Sequence, residues 1–422
     1  MATAAALIVR GRRRSIGPRF RQVWWSVVIS SAGDGMFVTA LPLLAATLTG
    51  DPVLIAGITV ATRLPWLVLS MFTGAIADRM DRRGLMIFAD FARFVVVAVL
   101  GVSILAGTVD IWQLYACAFL LGAGETLHVN AAQAILPDLV ARDDLMQANA
   151  RFASGQIASA QFAGPPLGAA LFKAAASVPF LADAVTFAAS AVLIRALPDA
   201  HAVEPPTTRL RDDMREGFRF VRGNIIVRRI TGVLTVINFF YFAATSVLVL
   251  YNTEQLHGST LTYAALFVGA AMGTVLSRFV VERLVRRVGP TDTMVCAIWL
   301  WAASIVGLAL ASTPWIAISM HVLLGAGTGL WWALNTTIRQ QVTPARLLGR
   351  MNAVYRTISW GVVPFGAAFG GVMARVFGLR APFVIGGVAL VVVAACARWF
   401  LRPVRAAERT FGTAERMRAE RH

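Results

Sequence analysis

Residues 85–107 read LMIFADFARFVVVAVLGVSILAG, and Asp90 and Arg93 are the only charged residues in this run. A helix of that length is about 35 Å long, which is enough to cross the roughly 30 Å hydrocarbon core of a bilayer. Similar runs recur along nearly the whole chain of 422 residues, of which 57% are hydrophobic and 14% charged. Soluble domains are roughly 45–50% apolar and a quarter charged. The sequence therefore predicts an all-α polytopic membrane protein.

Turn signals such as Gly50-Asp51-Pro52 and Thr313-Pro314 separate the apolar runs. The predicted spans number twelve: 22–48, 53–76, 85–107, 112–136, 150–174, 179–197, 228–252, 260–282, 291–312, 314–337, 352–374 and 381–401. A polar linker, 198–227, with a short amphipathic helix at 211–216, divides them into two six-helix bundles, 22–197 and 228–401. A basic N-terminal segment (1–21) and a polar tail (402–422) flank the bundles.

The net charge of +17 would suggest a nucleic-acid partner in a soluble protein, but its distribution indicates something else. Of the 39 basic residues, 34 fall in or beside segments on the side of the N-terminus, whereas Lys173, Arg375 and Arg380 fall on the other side. Basic residues accumulate in cytoplasmic loops. The asymmetry predicts that both termini are cytoplasmic and that the basic residues meet anionic lipid, with no nucleic acid bound.

Several other classes of protein lack support in the sequence. The basic start precedes a full-length apolar span, which favours a retained first helix over a cleaved secretory signal. The three cysteines, Cys117, Cys296 and Cys396, lie inside apolar runs, which argues against a disulfide framework or a metal site. The chain also shows no nucleotide-binding P-loop and no nucleophile–His–acid pattern. We therefore expect neither an enzyme nor a cofactor.

A shift of 203 residues superposes parts of the two halves. Residues 120–124 (LLGAG) match residues 323–327 (LLGAG), and Asn149-Ala150 matches Asn352-Ala353 in the same register. Chance apolar similarity accounts for the leucine matches better than for the glycine and asparagine matches. Because each half has an even number of spans, the repeat is parallel. Two such halves around a midplane site form an alternating-access architecture.

The loop after the second span, residues 74–83, reads GAIADRMDRR. Gly74 allows two helices to approach closely. Asp78 is placed to face the positive N-terminal end of a helix from the other half, and Arg79, Arg82 and Arg83 supply partners for it. The pattern favours a cytoplasmic gate; the alternative is a basic loop that only marks the cytoplasmic side.

Span 5 contains two prolines flanked by glycines, at residues 164–168 (GPPLG). Gly164 and Gly168 form a small-x-x-x-small face for tight helix packing. Pro165 and Pro166 remove two backbone donors and bend the helix. The pattern favours a helix that rocks during transport; the alternative is a proline kink of the kind common in membrane helices.

Three charged residues, Asp34, Arg63 and Glu125, fall near the midplane of the first half. A charge at the bilayer centre costs at least about 2.5–3.5 kcal/mol on insertion scales, so each is a functional candidate. Asp34 is predicted to carry protons or to pair with Arg63, the alternative being a capping role beside Gly33 and Gly35. Glu125 is a second candidate proton carrier, or a protonated acid bonded within the bundle.

Other polar residues in the spans have simpler explanations. His128, one turn after Glu125, is a candidate proton relay or a structural histidine. Asp90 and Arg93, spaced i and i+3 and expected near the cytoplasmic end of span 3, are predicted to neutralise each other as a structural pair. Asp183 and Glu254 are expected near the outer ends of their spans, in contact with solvent.

The second half has no acidic residue at the midplane but carries aromatic and amide side chains there. The candidates for its substrate cavity are Asn238, Tyr241, Trp331, Trp332, Asn335 and Trp360. This composition favours a lipophilic substrate, with a cation as one option. Each tryptophan has the alternative role of an anchor at the membrane interface.

Five short motifs together resemble one protein family. The loop from Gly74 to Arg83 resembles the signature loop of the major facilitator superfamily, and residues 282–287 (ERLVRR) resemble its degenerate second copy. The sequence from Ala160 to Ala169 resembles the Gly-Pro-x-x-Gly-Gly motif of the antiporter branch, although Ala160 and Ala169 stand where that branch often has glycine. With 33–35 (GDG) and 136–139 (LPDL), residues 20–400 are similar to drug:proton antiporters that include macrolide-efflux, Tap-like multidrug and enterobactin exporters.

The resemblance implies a major facilitator fold in the bacterial inner membrane. It also implies proton antiport that exports a small amphipathic compound, such as a drug, an antibiotic or a siderophore-like metabolite. We expect the chain to act as a monomer. Two alternatives stay open: a proton-coupled uptake symporter of a small metabolite, and a membrane sensor built on the same fold without transport.

Overall fold

The computed structural model describes residues 17–69, 72–73, 76, 80–141, 144–197 and 210–406, and its regular structure in these ranges is helical. The helices before the linker are α1 (Pro18–Leu48), α2 (Pro52–Val68), α3 (Arg82–Leu105), α4 (Ile111–Leu139), α5 (Leu145–Ile157), α6 (Gly164–Ala174) and α7 (Val178–Arg195). A π-helical turn, Ala158–Ala163, joins α5 to α6.

The helices after residue 209 follow the same pattern. They are α8 (Leu210–Gly223), α9 (Ile225–Thr245), α10 (Thr260–Val288), α11 (Pro290–Leu310), α12 (Pro314–Val342), α13 (Leu348–Gly361), α14 (Val363–Phe377) and α15 (Ala381–Phe400). Shorter segments are the α-helical Leu248–Leu250, the π-helical Tyr251–Gln255, the 3₁₀ turn Ala345–Leu347 and the helical residues 402–406.

Every predicted span overlaps helix in the described residues. Most boundaries agree within a few residues, but α2 ends at Val68 where its span was predicted to end at 76, and α10 ends at Val288 where its span was predicted to end at 282. Nine of the described helical segments are long and apolar enough to cross a membrane. The remaining three predicted spans correspond to α2, α4 and the continuous segment of α5 and α6. The all-helical prediction is therefore confirmed, and the count of twelve spans stays a prediction.

The helices before residue 198 pack mainly on one another, with α1 against α6 and α7, and α3 between α4 and α7. Those after residue 224 do the same, with α12 against α10 and α11, and α9 against α14 and α15. We call these sets the N-terminal helices and the C-terminal helices. The two sets meet chiefly where α2 packs on α14 and α6 packs on α10.

The amphipathic helix α8 is longer than the predicted segment 211–216 and is bound to the C-terminal helices. Asp213 lies 2.7 Å from the Arg350 guanidinium, and Glu216 accepts a hydrogen bond from Arg346 at 3.1 Å. Gly217 allows close approach, because a Cβ there would lie 2.6 Å from the Arg350 carbonyl oxygen. The described part of the linker is thus attached to the C-terminal helices at the start of α13.

The proline pair in span 5 lies directly after an irregular turn. Pro165 and Pro166 occupy the first turn of α6 and cannot donate to the carbonyls four residues earlier. The backbone passes through the π-helical turn just before them, a common form of interruption in long helices. A shift of 203 residues places this turn at 361–366, where the second half also interrupts its helix, between α13 and α14. The repeat therefore extends to the positions where the helices are interrupted.

The glycines of this segment pack directly on α1, as predicted. A Cβ added to Gly164 would lie 2.5 Å from Gly35 Cα, and one added to Gly168 would lie 2.6 Å from the Met36 carbonyl oxygen. Both contacts are with backbone, which cannot rotate away. The structure therefore confirms the predicted close packing, and a role in antiport stays a prediction.

Gly164→Ala is expected to destabilise the protein by about 1–3 kcal/mol, the usual cost of overpacking an interior. The measurement is the thermal unfolding midpoint of the purified protein in detergent. Gly232→Ala in α9 is the matched control, because a Cβ at Gly232 meets nothing within 4 Å. Alanine there is expected to leave stability unchanged or raise it by up to about 1 kcal/mol. Equal midpoints for the two variants would contradict the close packing of α1 and α6.

Candidate translocation site

An ionic cluster lies among the N-terminal helices, midway along α3. Asp90 is 0% exposed and Arg93 is 2% exposed. The Arg93 guanidinium donates to the Asp34 carboxylate of α1, and its Nη1 lies 3.6 Å from Asp90 Oδ1. One buried cation thus lies between two carboxylates from different helices. The predicted Asp90–Arg93 pair is present, but near the middle of its helix rather than near the cytoplasmic end.

The expected pairing of Asp34 with Arg63 is wrong, because Arg93 occupies that position. Gly124 on α4 makes room for Arg93, since a Cβ on this glycine would lie 2.6 Å from Arg93 Cγ. The Phe187 ring of α7 covers the guanidinium at 3.9 Å. Arg63 instead extends toward the C-terminal helices.

Asp90 also connects the cluster to α4 and α7. His128 Nδ1 lies 2.9 Å from Asp90 Oδ1, and Ser190 Oγ donates to Asp90 Oδ2 at 2.5 Å. His128 is 4% exposed. The histidine considered as a relay for Glu125 is therefore in contact with Asp90, a residue predicted to be only structural.

The expectation that Asp183 contacts solvent is also wrong, because this residue is 0% exposed. A Cβ on Gly33 would lie 2.0 Å from Asp183 Oδ1, so α1 presses directly on this carboxylate. Thr186 Oγ1 donates to it at 3.2 Å. A sequence signal existed: Asp183, Phe187 and Ser190 recur at helical spacing on one buried face of α7.

Glu125 lies beside the cluster and is only half-buried. Its Oε2 accepts a hydrogen bond from Trp66 Nε1 at 3.2 Å. Asp34, Arg93, Glu125 and His128 line one small pocket. The structure therefore brings together three of the four predicted proton-coupling residues, and Arg63 is not among the residues that line this pocket.

The predicted cavity residues of the second half divide into two groups. Trp331 is 0% exposed and packs on Trp301 with 5.6 Å between ring centres. Asn335 Nδ2 donates to the Tyr355 hydroxyl at 2.7 Å, and Asn238 Nδ2 donates to the Ser359 carbonyl at 2.6 Å. The prediction that these three residues line a cavity is wrong, because contacts within the C-terminal helices bury their side chains.

The other three cavity candidates keep accessible surface. Trp332 and Trp360 are 40% and 36% exposed, and Tyr241 is half-buried. The Trp360 ring lies 6.2 Å from the Phe242 ring, centre to centre, next to Tyr241 in sequence. Trp360 and Tyr241 are thus the predicted residues that remain near the boundary between the two sets of helices.

A buried arginine of α12 escaped the sequence prediction. Arg339 is 6% exposed, its guanidinium stacks 3.8 Å from the Tyr355 ring, and its Nε donates to Asn335 Oδ1 at 3.1 Å. It also donates to Asn352, one of the asparagines that the repeat marked. The repeated asparagine thus has a structural partner in the second half.

Part of the predicted gate lies outside the described residues, namely Gly74, Asp78 and Arg79. Arg82 donates to Asp138 Oδ2 at 2.6 Å and to the Ala134 carbonyl at 2.8 Å, both on α4. Arg83 donates to the Arg195 carbonyl at the end of α7 at 2.6 Å. These bonds join the start of α3 to other N-terminal helices, and a gating role stays a prediction.

Comparison with known proteins identifies the family. The family model described as "Transmembrane secretion effector" matches residues 16–419. The chain belongs to the major facilitator superfamily. The superfamily members that resemble this chain are transporters, so the chain is a membrane transporter and not an enzyme. The fold and the intramembrane cluster agree with this assignment.

Relatives of this superfamily member include drug exporters. It is 24% identical over 382 residues to the multidrug efflux pump Tap of Mycolicibacterium fortuitum, covering 86% of this chain and 90% of that protein. It is 19% identical over 383 residues to macrolide efflux protein A of Streptococcus pyogenes, with 89% and 94% covered. The uncharacterised transporter YfiS of Bacillus subtilis is 26% identical over 390 residues, with 87% and 89% covered.

Solved structures share the superfamily fold at low identity. A bacterial homologue of the iron transporter ferroportin, in an inward-facing state, matches with a TM-score of 0.74 and 14% identity over 92% of this chain and 99% of that one. A bacterial homologue of the lysosomal transporter Spinster, inward-facing and occupied, matches with a TM-score of 0.73 and 13% identity over 91% and 96%. These likenesses support the fold alone.

Proposed function

We propose that the chain exports a small amphipathic compound in exchange for protons, by alternating access between two six-helix halves in the bacterial inner membrane. The observation that carries this proposal is the buried cluster of Asp34, Arg93 and Asp90, which shares a pocket with Glu125. Ionisable groups inside a membrane bundle are costly and mark proton or substrate pathways. The efflux pumps among the relatives favour export.

The proton-coupling role falls to Asp34 and Glu125. Asp34 is 29% exposed at its side chain and Glu125 is half-buried, so water can reach both from the pocket. Asp90 is 0% exposed and is in contact with Arg93, His128 and Ser190. We therefore assign Asp90 the role of fixing Arg93 and Asp34 the role of exchanging protons. Arg93 would bind both carboxylates when Asp34 is ionised and Asp90 alone when Asp34 is protonated.

The described conformation supports a transport cycle. The two sets of helices meet where Gly371 approaches the Pro52 carbonyl and where α6 packs on α10. Because successive helices alternate in direction, both contacts lie at the end of the molecule opposite the termini. With cytoplasmic termini, as the basic residues predict, this is the outer end. The space between the two sets of helices, which we call the cleft, would then open toward the cytoplasm.

The test is accumulation of a panel of amphipathic compounds in an efflux-deficient bacterial host. Expression of the protein is expected to lower the steady-state level of at least one compound by about three-fold or more, and a protonophore is expected to abolish the difference. Glu125→Gln is expected to weaken the effect. Increased accumulation would indicate the uptake symporter. An unchanged panel, with Glu125→Gln identical to the wild type, would refute proton-driven export.

A further inference from the structure

Two arginines lie between the N-terminal and the C-terminal helices. Arg63 on α2 places its guanidinium carbon 6.0 Å from the centre of the Phe242 ring on α9. Arg356 on α13 places its guanidinium carbon 5.5 Å from the centre of the Trp66 ring on α2. Each arginine contacts an aromatic ring of the opposite set. Both therefore lie at the boundary between the two sets of helices, beside the cleft.

Neither arginine is paired with a carboxylate in the ranges that the structure describes. The ion pairs found there, with nitrogen and oxygen within 4.0 Å, involve other basic residues. Arg356 is exposed and Arg63 is half-buried, so neither residue is fully enclosed by the described part of the protein. Arg93, in contrast, contacts two carboxylates. An arginine inside a membrane span ordinarily pairs with an acid or faces water.

The acids around the cleft are already engaged. Glu125 accepts a hydrogen bond from Trp66, the ring that Arg356 covers. Asp34 is bound by Arg93. Among the described acids of the C-terminal side, Asp213, Glu216 and Asp292 contact arginines near the ends of α13 and α15. In the described residues the cleft therefore carries two arginines without a carboxylate partner, and its half-buried acid, Glu125, is bonded to Trp66.

Aromatic rings surround these cations. Phe242 lies 6.2 Å from Trp360 and 5.0 Å from Tyr241, ring centre to ring centre. Trp360 follows Arg356 by one helical turn, and Trp66 follows Arg63 by about one turn. A flat apolar body fits against such rings, while guanidinium groups bind planar anions through paired hydrogen bonds.

We propose that the exported compound is an amphipathic organic anion, whose carboxylate, sulfonate or phenolate group is bound by Arg63 and Arg356. The proposal rests on the proposed function, since it takes the cleft between the two sets of helices as the path of the substrate. It replaces the option of a cationic substrate. Arg63, first predicted to pair with Asp34, becomes a substrate-binding residue.

The experiment measures binding, which does not depend on a proton gradient. The purified full-length protein in lipid nanodiscs is titrated with pyrenebutyrate and pyrenesulfonate as anionic probes, and with pyrenebutyltrimethylammonium as the cationic probe of the same ring. Empty nanodiscs correct for partition into lipid. The wild type is expected to bind an anionic probe at least about ten-fold more tightly than the cation.

Four variants assign the effect to the two arginines. Arg63→Gln and Arg356→Gln are each expected to weaken binding of the anion about ten-fold, and Arg63→Lys and Arg356→Lys are expected to restore part of it. Arg375→Gln is the control, because that side chain is 65% exposed at the other end of span 11. Gel filtration and the unfolding midpoint show which variants are folded.

Binding of the cation as tight as that of the anions, no binding of either anion, or unchanged affinity in both glutamine variants would overturn the proposal. The outcome is separate from that of the proton-coupling test. Loss of anion selectivity with intact proton-driven export would refute only the anionic substrate. Anion binding without any proton-driven export would refute only the proposed function.

Discussion

Replacing Arg93 with methionine is expected to destabilise the protein by about 3–5 kcal/mol, the cost of removing one partner from a buried ion pair. Methionine fills much of the space of the arginine stem but leaves Asp34 and Asp90 without their shared cation. Asp90 is 0% exposed, so water cannot replace the lost partner. The contact of the guanidinium with the Phe187 ring is lost as well. The measurement is the unfolding midpoint and the yield of monodisperse protein in mild detergent.

A control and a rescue separate this effect from a general loss of packing. Arg375→Met removes an exposed arginine that lies 3.5 Å from Asp51 and is expected to change stability by less than about 1 kcal/mol. Adding Asp90→Asn to Arg93→Met removes one of the unpaired charges, and the double variant is expected to recover part of the loss. If Arg93→Met unfolds at the same temperature as Arg375→Met, the buried pairing is wrong.

The fold was predictable because its cause is local along the chain. A run of apolar residues long enough for the bilayer must be helical, since only helices satisfy their own backbone groups in lipid. The turns at Gly50 to Pro52 and at Thr313-Pro314 then separate helices that the structure also separates. The interruption in span 5 was foreseen from Pro165 and Pro166, although its form, a π-helical turn, was not.

The site was predictable only in part, because the depth of a residue in the membrane does not determine which way its side chain points around the helix axis. Position along a span gave the depth of Asp34, Glu125 and Arg63 and marked them as costly charges. It did not give the direction that each side chain takes around its helix axis. Arg93 reaches Asp34 because Gly124 leaves space on α4, whereas Arg63 lies on a face of α2 that meets α9.

Asp183 and Trp331 show the same limit at different depths, because both were expected to be accessible and both are buried. Asp183 lies near one end of its predicted span and was expected in water, but α1 covers it at Gly33. Trp331 lies near the midplane and was expected in a cavity, but it packs on Trp301. In both cases the neighbouring helix decides the exposure. The helical period of buried positions on α7 and α12 carries that information, and depth does not.

Replacing Asp34 with asparagine is expected to reduce proton-driven export at least about ten-fold while leaving substrate exchange intact. Asparagine has nearly the same shape as aspartate but cannot take up or release a proton. Arg93 keeps Asp90 as a partner, so the cluster stays assembled. The assay uses everted membrane vesicles and a compound identified by the accumulation screen. Uptake driven by an imposed pH gradient is compared with counterflow, in which labelled compound exchanges for unlabelled compound without a gradient.

The comparison of the two rates distinguishes a proton carrier from a structural acid. Loss of both rates would mean that Asp34 only supports the fold or the binding of substrate. Retention of both would exclude Asp34 as the carrier, and the same pair of assays on Glu125→Gln then tests the remaining candidate. Glu254→Gln is the control, because Glu254 is an exposed acid at the end of the helical segment Tyr251–Gln255 and is expected to leave both rates unchanged. Loss of the driven rate alone would identify Asp34, which contacts Arg93 and lines the pocket, as the proton carrier.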